Sequence, residues 1–89
     1  MGKFKVTIRL TVEQKEFNIA LSTNATPDRI VQKLINANLI DKISPSGEPY
    51  VYEIQPKGKN LAIEGDESLE QAGVTDGDIL LLIREVIAG

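Results

Sequence analysis

Ser68-Leu69-Glu70-Gln71-Ala72-Gly73-Val74-Thr75-Asp76-Gly77-Asp78-Ile79-Leu80-Leu81-Leu82-Ile83 is the stretch that decides the fold. Ser68 to Gly73 reads as one helical turn stopped by a glycine, the residue that most readily takes the left-handed conformation at a helix end. Thr75-Asp76-Gly77-Asp78 is a tight turn, because Asp bonds its own backbone and Gly tolerates positive φ. The turn delivers the chain into Ile79–Ile83, which does not alternate. A short continuous apolar run reads as a strand buried on both faces, which places it in the middle of a sheet covered by a helix.

Working outward from that strand, Phe4, Val6, Ile8 and Leu10 alternate with Lys3, Lys5, Thr7 and Arg9, the period of a half-buried strand. After the polar interruption Val12-Glu13-Gln14-Lys15, alternation resumes with Phe17, Ile19 and Leu21 against Glu16, Asn18, Ala20 and Ser22. Two adjacent strands with a short connection predict an antiparallel hairpin. With no Asn-Gly or Asp-Gly pair, the connection is expected to be longer than two residues or bulged. Thr26 is placed to N-cap a helix, Pro27 fits the first helical position, and Asp28 suits the positive end of the dipole. Ile30, Val31, Leu34, Ile35 and Ala37 then recur at helical spacing, and Asn38 is suited to the left-handed stop, so the helix is expected over about 27–38. A Pro- and Gly-rich loop covers 43–49. Tyr50-Val51-Tyr52-Glu53-Ile54-Gln55 follows as a third strand, rich in aromatic and β-branched residues. Leu61 and Ile63 are expected in a short fourth strand or extended segment before the acidic turn Glu64-Gly65-Asp66-Glu67.

The bulk properties exclude several functions. Eighty-nine residues make one domain. Nine Leu, eleven Ile and six Val can build one small core. A chain this short buries only roughly 60–65% of its unfolded surface, so modest stability is expected. No Cys is present, which removes disulfides, thiol nucleophiles and thiolate metal sites; no His is present, which removes the commonest general base and metal ligand. The acids Glu64, Asp66, Glu67, Glu70, Asp76 and Asp78 do not follow calcium-loop spacing and are read as turn chemistry; no metal and no cofactor is expected. One helix and one sheet leave little room for a catalytic pocket, so the chain is not expected to be an enzyme. The longest apolar run, Ile79–Ile83, cannot span a bilayer, and no apolar stretch of signal-peptide type follows the N-terminal lysines. A net charge of −3 argues against nucleic acid as a partner. The absence of Cys fits a reducing compartment, so a cytoplasmic location is expected.

A doubly buried last strand must lie beside the first strand, parallel to it, with the helix packed across. That arrangement is an α+β β-grasp: a mixed four- or five-stranded sheet with one main helix. At this point the chain resembles a ubiquitin-like domain. The helix opening Thr26-Pro27-Asp28, the turn Lys57-Gly58-Lys59 before Leu61, and the passage from Ser68-Leu69 through Ala72-Gly73-Val74 and Asp76-Gly77-Asp78 to Leu80 and Leu82 stand in ubiquitin order. The resemblance covers about residues 3–84. It implies a domain over 1–84 and an extended tail over 85–89. Two subfamilies compare closely. Ala72-Gly73-Val74-Thr75-Asp76-Gly77-Asp78 resembles the YukD-type proteins associated with type VII secretion, which implies a non-covalent accessory acting through its folded surface. The conjugated modifiers, ubiquitin and its bacterial relatives, carry a tail ending in Gly. A third class, a regulatory subunit or domain within a larger enzyme complex, shares the fold, because fold does not dictate function.

The tail bears on the choice. Under the modifier resemblance, an E1-like enzyme adenylates the Gly89 carboxylate and an E2-like enzyme passes it to target proteins. Ala88 and Ile87 would be the threaded tail, and Arg84 would be recognised through its guanidinium fork. Gly89 suits close approach because it lacks a Cβ. Residue 88 is Ala where ubiquitin has Gly, and Val86 and Ile87 are stiffer than the usual tail. The expected function is a ubiquitin-like modifier, with the YukD-type binding module as the alternative. Lys59 follows Gly58 much as ubiquitin's main chain-forming lysine follows a glycine. Gln55 occupies the place of ubiquitin's receptor-binding isoleucine, so that patch is expected to be altered. Tyr50 and Tyr52 offer an aromatic surface if they are exposed, and Tyr52 has an equal claim to the core beside Ile54.

Overall fold

The computed structural model describes residues 2–86, and the side chain of Val86 is not among what it describes. Four strands and one helix follow in the order β1 (Lys3–Leu10), β2 (Lys15–Ser22), α1 (Pro27–Asn36), β3 (Tyr50–Pro56) and β4 (Ile79–Val86). The sheet order is β2-β1-β4-β3: β1 pairs antiparallel with β2 and parallel with β4, and β3 pairs antiparallel with β4. This is the β-grasp, with the final strand at the centre beside the first. Among the described residues, no helix is long and apolar enough to cross a membrane.

Each element has a local cause. A four-residue connection, Thr11–Gln14, closes the hairpin, with Gln14 in the left-handed region at φ 55°. The Thr26 hydroxyl accepts from Arg29 N–H at 3.4 Å, and Pro27 opens α1. Asn38, at φ 59°, ends it: its N–H donates to the Ile35 carbonyl at 3.0 Å, and Leu39 N–H to the Leu34 carbonyl at 3.0 Å. That paired closure stops the helix at Asn36, two residues short of the expected end. At the decisive stretch, Ser68 and Gln71 cap one another: Ser68 N–H donates to Gln71 Oε1 at 3.0 Å, and Gln71 N–H to Ser68 Oγ at 3.1 Å. Gly73 and Gly77 both sit at positive φ, 82° and 88°, which side chains disfavour. The Asp-Gly turn is fastened to β1, because Lys5 N–H donates to Asp76 Oδ1 and Gly77 N–H to the Lys5 carbonyl, each at 2.7 Å. Those two bonds set β4 running parallel to β1.

The core lies between α1 and one sheet face. Ile8, Ile30, Leu34, Ile54, Leu69 and Leu80 are fully enclosed. Of the two forms expected for Leu61 and Ile63, the structure has the extended segment: Ile63 N–H donates once to the Ile54 carbonyl, at 2.8 Å, and Leu61 projects into solvent, 81% exposed. Among the described residues the sheet has four strands. One expectation is corrected: β4 is not buried on both faces. Leu80 and Leu82 are buried, whereas Ile79, Leu81 and Ile83 are only half-buried, because the single helix covers a single face.

Candidate interaction surface

The uncovered sheet face carries an aliphatic stripe. Ile79, Leu81 and Ile83 alternate outward along β4. Register places Thr7 and Arg9 of β1 beside Ile79 and Leu81, and Gln55 and Glu53 of β3 beside Leu81 and Ile83. The stripe is thus half-buried apolar surface in a polar rim. Arg9 is tied back to Glu16 across the β1–β2 pair. Aromatic and aliphatic cores inside polar rims are the anatomy of protein interfaces. The apolar run Ile79–Ile83 suggests burial on both faces, but one helix cannot cover two faces.

Gln55 does lie on this face, beside Leu81. Its amide is engaged, donating from Nε2 to the Lys59 carbonyl at 2.6 Å, so it braces the β3 turn. Lys59 is also engaged: its ammonium donates to the Ala72 carbonyl at 3.2 Å, the C-terminal end of the helical turn, where a cation is favoured. Tyr50 does not share the face of Gln55: it lies with Tyr52 on the opposite one, half-buried, and their rings meet edge-on with centroids 6.1 Å apart. Tyr50 and Gln55 therefore form no common surface. Tyr52 is half-buried on the helix side, and its hydroxyl donates to the Asp41 carbonyl at 2.5 Å. Burial pushes the Tyr52 phenol above its ordinary range, and the neighbouring Arg84 guanidinium partly opposes that.

Arg84 closes this cluster. Its guanidinium carbon stands 4.3 Å from the centre of the Tyr50 ring, and Nη1 lies 3.3 Å from Glu13 Oε1 in the hairpin loop. The residue ties the C-terminal part of β4 to the β1–β2 connection, which the sequence did not indicate. Ile87, Ala88 and Gly89, the remaining tail residues of the modifier reading, lie outside the described residues.

Known proteins resemble the chain in both sequence and shape. The model of the WXG100 protein secretion system (Wss) protein YukD family matches residues 4–82. No curated protein sequence matches. Among solved structures, Caldiarchaeum subterraneum ubiquitin is 27% identical, over 99% of this chain and all of that one, with a TM-score of 0.70. The ubiquitin-like domain of Plasmodium falciparum Dsk2 is 30% identical over 94% of this chain and all of that one, with a TM-score of 0.64. The ubiquitin-like domain of the Mycobacterium tuberculosis type VII secretion system protein ECCD1 shares the fold at 19% identity, covering 93% of this chain and 99% of that one, with a TM-score of 0.63.

Proposed function

The chain belongs to the YukD family of the WXG100 protein secretion system, and from that premise we propose that it is a non-covalent binding module of such a system. It acts in the cytoplasm through its folded surface and carries out no chemistry of its own. The family match over residues 4–82 carries this reading, and the stripe Ile79–Leu81–Ile83 supplies a surface for it. A partner would cover the aliphatic side chains and meet the rim through Glu53, whose carboxylate forms no ion pair among the described residues. Removing the aliphatic stripe from water is the driving term, at about 25 cal/mol per Å² buried.

A second reading keeps the modifier chemistry of the tail. It is favoured by the 27% identity to an archaeal ubiquitin over 99% of this chain. In that reading an E1-like enzyme activates Gly89 and an E2-like enzyme transfers it to targets, and Arg84 would have to be recognised while held by Glu13 and Tyr50.

One experiment separates the two. The gene is deleted in the source cells, and export of WXG100 protein to the medium is followed after complementation with wild type, Leu81→Glu or a Gly89 deletion. The binding module predicts export with the wild type and the deletion but not with Leu81→Glu. Rescue by Leu81→Glu but not by the Gly89 deletion, with higher-mass adducts that survive denaturation, would overturn it in favour of conjugation.

A further inference from the structure

The sheet has two edges, and the chain treats them differently. β3 is covered at both ends: Tyr50 N–H donates to the Lys42 carbonyl at 3.1 Å, and the Ile54 carbonyl accepts from Ile63 N–H at 2.8 Å. β2 has no such cover among the described residues. Thr7 N–H donates to the Asp78 carbonyl at 3.0 Å, away from β2, so the Thr7–Asn18 pair is of the non-hydrogen-bonded kind. Alternation along an antiparallel pair puts Glu16 and Ala20 in the same class. The backbone N–H and C=O groups of Glu16, Asn18 and Ala20 therefore point out of the sheet, and none has a backbone partner among the described residues. Natural sheets ordinarily blunt such an edge.

A groove of about 230 Å³ runs beside this edge at its Ser22 end, between β2 and α1. Leu21, Ala25 and Ile30 supply its apolar surface, and Arg29 and Lys33 stand on its helical rim. Phe17 and Ile19, half-buried on the same side of β2, extend the apolar strip along the edge. Arg29 and Lys33 are exposed and form no ion pair among the described residues, in a chain of net charge −3. An extended segment laid on β2 would satisfy the six outward groups and place alternate side chains over the groove.

We propose that the β2 edge takes up an extended segment of a partner protein as a fifth strand, with aliphatic side chains at alternate positions and carboxylates at the end that meets Arg29 and Lys33. The charge decides the occupant. A second copy pairing β2 to β2 antiparallel would bring its Glu13, Lys15 and Glu16 end toward Arg29 and Lys33, but Glu13 and Glu16 are already paired with Lys15, Arg84 and Arg9 within the copy, so it offers no free carboxylate there. The proposal does not depend on use of the sheet face or on the tail.

The test is titration of the ¹⁵N-labelled full chain with a capped octapeptide alternating Val and Thr and carrying two Glu at one end, against the same peptide with two Lys. The expected result is shifted and exchange-protected amides at Glu16, Asn18 and Ala20. The Glu peptide binds about tenfold tighter than the Lys peptide, as two exposed ion pairs give. Ala20→Pro removes an outward N–H and no β1 bond, a change edge strands tolerate. It should lose most of the affinity while the Leu69 and Leu80 signals stay native. Joint Arg29→Glu and Lys33→Glu substitution, on the exposed helix face, should reverse the peptide preference. Equal affinity for both peptides, no binding of the Glu peptide, shifts centred on Leu81 and Ile83, or edge protection that rises with protein concentration alone would each overturn the proposal.

Discussion

Replacing Arg84 by Ala tests whether this β4 side chain is structural. Three contributions are removed. The guanidinium over Tyr50, at 4.3 Å, is worth about 0.5–1 kcal/mol at a partly exposed site. The Glu13 pair, 3.3 Å apart with side chains 20% and 34% exposed, is worth about 0.2–1 kcal/mol once solvent screening is allowed for. The side-chain stem, mostly covered, adds a few tenths to about 1 kcal/mol. The total is about 2 kcal/mol, which lowers Tm by about 8–16 °C in a domain of this size. Urea unfolding of wild type, Arg84→Ala, Glu13→Gln and the double variant gives the coupling directly. Arg84→Lys should recover the charge pair but little of the stacking, since an ammonium lacks the planar fork. A loss below about 0.3 kcal/mol for Arg84→Ala, or a coupling indistinguishable from zero, would refute the reasoning and leave Arg84 free for another molecule to grasp.

Two further predictions follow from burial. The Tyr52 phenol is raised chiefly by burial, so the folded state holds its proton more tightly than the unfolded chain does. The stability this gives is fully present below the unfolded tyrosine pKa, about 10, and is lost as pH rises through the higher folded value. A tyrosinate absorbance titration should resolve Tyr52 above an ordinary tyrosine, and Arg84→Ala should move it higher still; a normal midpoint would contradict the site. Leu80→Ala should cost about 2–5 kcal/mol and Leu81→Ala about 1 kcal/mol, because only the former is enclosed. Equal losses in denaturant unfolding would mean that the stripe is folding core and not free surface.

The fold was legible because its local signals agree. Thr26-Pro27-Asp28 opens the helix, Asn38 closes it, and alternation over Lys3–Leu10 sets which face of β1 meets the core. Where legibility failed, a tertiary fact intervened. For Leu61 and Ile63 the composition left strand and extended segment open, and the single hydrogen bond to Ile54 decides for the segment, with Leu61 in water. Ile79–Ile83 reads as buried on both sides because periodicity reports apolar content and not the number of covering layers. The site residues were legible by position and not by role. Gln55, Lys59 and Arg84 each hold a partner within the chain, and no spacing rule pairs Lys59 with the Ala72 carbonyl or Arg84 with Glu13 across the fold.

Those internal partners bear on mechanism. An arginine free in a tail can be bound without cost to the domain, but Arg84 must give up Glu13 and Tyr50 before another acidic surface can take its fork. Any enzyme that grasps Arg84 therefore works against about 2 kcal/mol of intramolecular contacts, roughly a thirtyfold loss in affinity relative to an unattached arginine. The stripe Ile79–Leu81–Ile83 carries no such cost, since those side chains have no covering layer to leave. The same holds for the outward amides of β2, which have no backbone partner among the described residues to give up. Energetics thus favour partners that meet this domain on its sheet face or at its open edge over partners that take it by Arg84.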